Sequence, residues 1–208
     1  MSRSRVYCID GIDGTGKTTL IEYLKYRLNA EGLKVSVYSD FHYGQSSKEL
    51  GMVLRRHATD MSPLAQLCTI IAMRDAGTSE FIKYNVLEDT IVLVDRGVLS
   101  TIAYQIYGLP MLDSERDRLM WLLDKLSSSI NRLIPDITFV LSLPLEVVKS
   151  RLDERKRDAL ETRDDDSWER IAWAYNNVHI QDRIVRVDVH NKSKQQVADE
   201  VYKCMMLD

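Results

Sequence analysis

The residues best equipped for chemistry form a glycine-rich run, Gly11-Ile12-Asp13-Gly14-Thr15-Gly16-Lys17-Thr18, with Thr19 directly behind it. The run fits the G-x-x-x-x-G-K-[ST] pattern, whose spacing has a mechanical meaning. Glycines let successive backbone N–H groups wrap a chain of phosphates, and a helix opening behind them adds partial positive charge. Lys17 would neutralise the β- and γ-phosphates, and the Thr18 hydroxyl would ligate Mg²⁺. Context separates this reading from a chance glycine-rich turn: an apolar run precedes the loop and a helical pattern follows it. A second chemical pair, Asp95-Arg96, ends another apolar run. In open α/β sheets ligands bind beyond the carboxyl ends of strands. Asp95 is therefore expected near the phosphates, holding Mg²⁺ through water, with Arg96 bridging donor and acceptor phosphates. A planar guanidinium suits that task because it grips two oxygens at once. An aspartate in this place can also simply cap the next helix.

These groups need a scaffold, and the apolar pattern supplies one. Strands are expected at Val6–Ile9, Val35–Tyr38, Ile91–Val94, Ile137–Leu141 and Ile184–Val187. Helices are expected at Thr18–Ala30, from Ser62-Pro63 to about Leu87, at Leu119–Leu126, from Leu145 to about Arg157, at Asp166–Asp182 and at Gln195–Met206. In the first of these, Leu20, Leu24 and Leu28 recur every four residues as one core-facing stripe. Strands alternating with helices imply an α/β fold, a parallel sheet covered on both faces. The 208 residues read as one domain, 1–208, without repeats or linker. A hydrophobic content of 45% supports a real core, and a net charge of −3 gives no global basic footprint for nucleic acid. The cysteines, Cys8, Cys68 and Cys204, match no metal or redox spacing. Cys8 and Cys68 lie in apolar runs and read as reduced core residues of a cytoplasmic protein. Met1–Arg5 lacks an apolar signal region, and no stretch is long enough to span a bilayer, so no membrane partner is expected.

Two segments carry a resemblance. Ile9-Asp10-Gly11 through Thr18-Thr19, and Asp95-Arg96-Gly97-Val98-Leu99-Ser100-Thr101-Ile102-Ala103-Tyr104-Gln105, resemble the thymidylate kinase family of P-loop nucleoside monophosphate kinases. The ending Ser100…Ala103-Tyr104-Gln105 is the more specific part. Weaker likeness lies in Tyr43-Gly44-Gln45-Ser46, Ala72-Met73-Arg74 and Tyr175, and in order and spacing it covers nearly the whole chain. The resemblance implies a P-loop NTPase fold with a five-stranded parallel sheet, ATP as donor, Mg²⁺, dTMP as acceptor and a homodimer. It places Asp13 near the acceptor's 3′-hydroxyl, Tyr104 against the deoxyribose where it would crowd a 2′-hydroxyl, Arg74 on the base and Tyr175 over the sugar. Tyr43, Ile70, Arg96, Thr101 and Gln105 join these as acceptor-binding positions. By residue type alone, Tyr104 can also be a core tyrosine and Arg74 half of a surface pair.

The family also carries a mobile lid, expected here at about 151–166. Gly14 stands where some members have a catalytic arginine; members without it draw arginines from the lid, which makes Arg155, Arg157 and Arg163 candidates. Arg151 would stack on adenine. The same segment can be a solvated face laced with ion pairs, and Asp164-Asp165-Asp166 suits a helix start, where negative charge is favoured. Three departures from the family pattern bear on the substrate. Ile70 replaces an aromatic residue one helical turn before Arg74. Thr162-Arg163-Asp164-Asp165 replaces Asp-Arg-x-Glu. Asp10 replaces a glutamate, and its shorter reach would alter a water-mediated contact. The expected reaction is in-line transfer of a γ-phosphoryl group to an acceptor phosphate, which is already nucleophilic and needs no strong base. The rivals are a deoxynucleoside kinase, a broader deoxynucleoside monophosphate kinase and a non-catalytic P-loop nucleotide-binding protein.

Overall fold

The computed structural model describes residues 4–85, 89–130, 133–153, 163–180 and 183–207. Five parallel strands, β1 (Arg5–Gly11), β2 (Lys34–Ser39), β3 (Thr90–Asp95), β4 (Ile137–Ser142) and β5 (Arg183–Asp188), pair in the order β2-β3-β1-β4-β5. The central strand, β1, is buried from Val6 to Gly11 because helices cover both of its faces. Its alternation sorts the two cores. Tyr7 and Ile9 pack with Leu20, Leu24 and Leu28 of α1 (Lys17–Ala30) and with Val201 and Met205 of α8 (Lys194–Met206). Val6 and Cys8 point the other way, towards Tyr38, Phe81 and Val94. A third group of buried side chains, including Leu99, Ile102, Leu119, Val140, Trp168 and Ile171, completes that second face.

The register places the chemistry. Ile9 of β1 lies opposite Asp95 of β3, which lies opposite Ser39 of β2, so three strands deliver their carboxyl ends to one edge. The expected strands and the helices near α1, α8 and α3 (Pro63–Asn85) are present. α6 (Leu145–Asp153) and α7 (Asp165–Asn177) are also present, but α7 stops five residues short of the expected Asp182. Asp164 caps it, its side chain accepting from Ser167 N at 2.7 Å, which bears out the helix-start reading of that acidic triplet. α5 (Asp113–Ile130) begins six residues before the expected Leu119, with Asp113 and Glu115 in its acid-favouring first turn.

Two α-helices among the described residues were not expected at all. α2 (Gln45–His57) buries Ser47, Gly51 and Leu54 at helical spacing, with Leu50 partly buried on the same face. Its neighbour α3 meets it with Gly77 and Met73: a Cβ on Gly51 would stand 2.9 Å from Phe41, and one on Gly77 only 2.6 Å from the Tyr38 hydroxyl. The other is α4 (Val98–Thr101), which runs on into a π-helical turn, Ile102–Tyr107. Cys8 is buried as expected, but Cys68 is exposed. It lies one turn after Leu64, itself half exposed, on the outward face of α3.

Candidate active site

The phosphate loop begins where β1 ends. Gly11 has φ 134°, and a Cβ there would stand 2.4 Å from the Leu141 carbonyl oxygen of β4, so only glycine fits. Lys17, the first residue of α1, is buried and curls back to donate to the carbonyls of Gly11 and Ile12, both at 2.9 Å. Burial pulls its pKa down to about 8, and Arg96 adds to the pull against Asp13, Asp95 and Asp10. An ammonium held in this way lacks water and is ready to exchange two carbonyls for phosphate oxygens. Thr18 and Thr19 line the mouth of the loop with Gly14, Gly16, Asp95 and Arg96.

Asp95 lies across that mouth from Thr18. Its Oδ1 is buried and has no hydrogen-bond partner among the described residues, and burial raises its pKa above the ordinary carboxylate value, Arg96 and Lys17 opposing. An unpartnered carboxylate oxygen on a residue that lines the loop mouth together with Thr18 fits Mg²⁺, which keeps most of its water and takes only one or two protein ligands beside phosphate. Arg96 has φ 72°, a strained value for a non-glycine residue, fixed by its N–H donating to the Ile9 carbonyl at 3.1 Å. This turn throws the guanidinium back over the loop, where Nη2 pairs with Asp13 Oδ1. Tyr104 closes the corner: its hydroxyl donates to Asp13 Oδ2 at 2.8 Å and accepts from Asp13 N–H at 3.0 Å.

Beyond Arg96 opens a second cavity. Ile70 and Arg74 line it from α3, and Thr101, Tyr104 and Gln105 from α4 and its π-helical continuation. Such π turns recur at functional sites. The fold thus gathers Asp13, Ile70, Arg74, Arg96, Thr101, Tyr104 and Gln105 around one space. Two expected acceptor residues are elsewhere. Tyr43 packs edge-on against Phe81, 5.0 Å between centroids, and beside Tyr38 on the far side of the sheet edge. Tyr175 is buried with its hydroxyl on Ser100 and Asp10, each at 2.8 Å, and does not face the cavity. Asp10 is fully buried, and its carboxylate accepts directly from Gly11 N, Gly97 N, Ser100 N, Ser100 Oγ and Tyr175 Oη.

Three residues that line the cavity escaped the sequence reading. Asp40 accepts from Arg74 Nε at 2.9 Å and Nη2 at 2.6 Å, and the Gly97 carbonyl takes Nη2 as well at 3.2 Å, which fixes the fork. The signal was available, since Asp40 follows β2 as Asp95 ends β3. Phe41 and Arg55 line both this cavity and the loop mouth, with the Arg55 guanidinium 4.8 Å over the Phe41 ring. Arg55 lies on α2, so missing that helix hid the arginine.

On the opposite side of the loop, Arg151 donates to the Gly14 carbonyl at 2.8 Å and borders a third cavity with Thr15, Gly16, Thr19, Lys192 and Lys194. Arg155 and Arg157 lie outside the described residues. Arg163 is described: its guanidinium stands 5.5 Å over the Tyr104 ring, on which Arg96 also lies at 5.3 Å, and it donates to the Gly108 carbonyl at 3.3 Å.

A phosphate loop with a strand-end Asp-Arg pair and an adjoining cavity suits a nucleotide-binding enzyme, and comparison with known proteins agrees. A family model described as thymidylate kinase matches residues 9–201. The chain is 30% identical to a thymidylate kinase of Exiguobacterium sp. strain AT1b over 93% of its own length and 90% of that protein's. It is 29% identical to one of Halothermothrix orenii, covering 93% and 92%. The crystal structure of a thymidylate kinase from Ehrlichia chaffeensis superposes with a TM-score of 0.70 at 24% identity, covering 98% and 99% of the two chains, a likeness of fold. With the family match spanning almost the whole chain and the loop, Asp-Arg segment and cavity all in place, the chain belongs to the thymidylate kinase family.

Proposed function

We propose that the protein transfers the γ-phosphoryl group of ATP to dTMP, giving dTDP. One observation carries the reading: the loop mouth and the acceptor cavity share Asp13, Phe41, Arg55 and Arg96 as common wall. Two nucleotides seated from opposite sides would therefore meet phosphate to phosphate at Arg96. A nucleophilic acceptor phosphate suits a site where catalysis is alignment and charge neutralisation and no strong base is needed. Gly11 to Thr19 wrap the donor phosphates, Lys17 takes their charge, and Arg151 lies along the donor base. Arg96 and Arg55 face the acceptor phosphate. Asp13 and Tyr104 receive the sugar, and Ile70, Arg74, Thr101 and Gln105 receive the base. Gly14 offers the phosphates no side chain, so the missing charge is assigned to Arg155 and Arg157.

Mg²⁺ would be held by Thr18 and Asp95, where it would neutralise charge on the donor phosphates. Family membership supports a homodimer. Among the described residues no helix is long and apolar enough to cross a membrane, and a nucleotide-biosynthetic substrate suits a cytoplasmic location. The test is a coupled ADP-release assay with every ribo- and deoxynucleoside monophosphate, with thymidine as control. The expected ranking puts dTMP first. Turnover of thymidine would indicate a nucleoside kinase, and no turnover of any acceptor a binding protein.

A further inference from the structure

We propose that Tyr175, Asp10 and Ser100 form a positioning network that sets the Arg96 guanidinium, linking α7 to the group between the two phosphates. The inference rests on the phosphoryl-transfer reading above. Its centre is Asp10, at the end of β1 and fully buried, whose carboxylate collects five donors from three places. Gly11 N–H reaches Oδ1 at 2.8 Å, while Gly97 N–H and Ser100 N–H reach Oδ2 at 3.0 and 3.1 Å. The Ser100 hydroxyl reaches Oδ1 at 2.5 Å and the Tyr175 hydroxyl reaches the same oxygen at 2.8 Å. The carboxylate thus joins the phosphate loop, the turn carrying Arg96 and α7.

Counting protons shows why the network bears on Arg96. Ser100 has one hydroxyl proton, and Asp10 takes it. The Ser100 oxygen is then left as an acceptor, and Arg96 Nη1 donates to it at 3.2 Å. Arg96 Nη2 is held by Asp13, so the fork has two anchors: one on the loop and one on Ser100. Tyr175 Oη stands 2.8 Å from both Asp10 Oδ1 and Ser100 Oγ, so its one proton lies between them; given to Ser100, it fills the second lone pair of the oxygen that accepts from Arg96 and fixes its direction. The backbone cannot absorb a change, because Arg96 is already at φ 72° and tied to Ile9. Tyr175 borders neither the loop mouth nor the acceptor cavity, so it acts through Ser100 and Arg96 rather than on a nucleotide. Its ring packs edge-on to Tyr104 at 6.4 Å, a contact phenylalanine would keep, so Tyr175→Phe isolates the hydroxyl.

A double-mutant cycle separates positioning from simple structural support. Tyr175→Phe is expected to lower kcat about tenfold, equivalent to about 1.4 kcal/mol, with KM for both substrates within about twofold. Placed on Arg96→Ala, the same substitution is expected to change kcat by less than about twofold, because the group it acts through is gone. Equal losses in both backgrounds would overturn the proposal, as would an unchanged kcat in Tyr175→Phe. Should Tyr175→Phe fail to fold, Ser100→Ala takes its place in the cycle: a loss confined to the Arg96 background supports the network, and equal losses overturn it. Ser100→Thr, which keeps the hydroxyl, should restore kcat. If the wild-type protein prefers another nucleoside monophosphate, the substrate assignment falls, and the cycle run with that acceptor still tests the network.

Discussion

At the scale of single residues, the site holds ionic groups in little water, and their protonation becomes visible in kinetics. Burial holds the pKa of Lys17 down to about 8 in the free protein, with Arg96 as the next cause. The sign is fixed by chemistry: neutral lysine cannot pair with phosphate, so binding weakens as pH rises through that value. Bound ATP restores the charge. The profile of kcat/KM for ATP should therefore bend downward near pH 8, falling about tenfold per pH unit, while kcat bends only at higher pH. A kcat/KM that stays flat up to about pH 9.5 would show that Lys17 keeps its proton. Ile70 supports a second prediction. It lies in the acceptor cavity one turn before Arg74, among Met73, Leu54 and Phe41. Lacking an aromatic ring forgoes roughly 0.5–1.5 kcal/mol beyond area burial, and a single methyl separates dTMP from dUMP by only about 1–3 kcal/mol. dTMP should lead with measurable use of dUMP, and Ile70→Phe should tighten dTMP binding up to about tenfold in a calorimetric titration. Unchanged affinity would mean the base does not rest on residue 70.

At the scale of elements, the parts legible in the sequence are those where chemistry and fold lie on one continuous segment. The loop follows directly from β1, and Asp95 through Gln105 carry both the strand end and the cavity wall, so the family resemblance of that one segment was enough to place Thr101, Tyr104 and Gln105 beside Arg96. Tyr43 and Tyr175 could not be placed so, because facing the cavity or facing away from it depends on helix rotation and strand register rather than on residue type. α2 was legible and was passed over: Ser47, Leu50, Gly51 and Leu54 recur at helical spacing, opposite a polar face, and the small members Ser47 and Gly51 mark a tight contact with α3. That contact gives the third prediction. Gly77→Ala gains up to about 1 kcal/mol of helix propensity. Its Cβ, however, would stand 2.6 Å from the hydroxyl of fully buried Tyr38 and 3.0 Å from Ser47 Oγ. Overpacking a rigid site costs about 1–3 kcal/mol, so the steric effect wins. Urea unfolding should show net destabilisation, and KM for the acceptor should rise because α2 carries Arg55. A stabilised variant with unchanged KM would show that α2 yields freely.

At the scale of the molecule, the strand order decides where two substrates can meet. β1 stands between β3 and β4, with crossovers leading to both sides, so a crevice opens at its carboxyl end. Three cavities follow one another along that edge and share walls. The cavity bordered by Arg151, Lys192 and Lys194 shares Gly16 and Thr19 with the loop mouth, and the loop mouth shares Asp13, Phe41, Arg55 and Arg96 with the acceptor cavity. A donor lying in the first two and an acceptor in the third would form one continuous track. A single molecule carrying adenosine and thymidine at the ends of a phosphate chain should then occupy all three at once. Its second contact becomes intramolecular, and linked binding of this kind exceeds the separate affinities by about 10²–10⁴-fold when the linker spans the sites. The expected result in calorimetry is one site per chain, an affinity at least about a hundredfold above the better of ATP and dTMP, and a sharp loss when the phosphate chain is too short to pass Arg96. Arg96→Ala should weaken this ligand more than it weakens ATP alone, because the arginine touches the junction and not the donor end. A linked ligand that binds no better than ATP would show that only the donor half is seated, and that the acceptor cavity beside Ile70 and Arg74 is not on the same track.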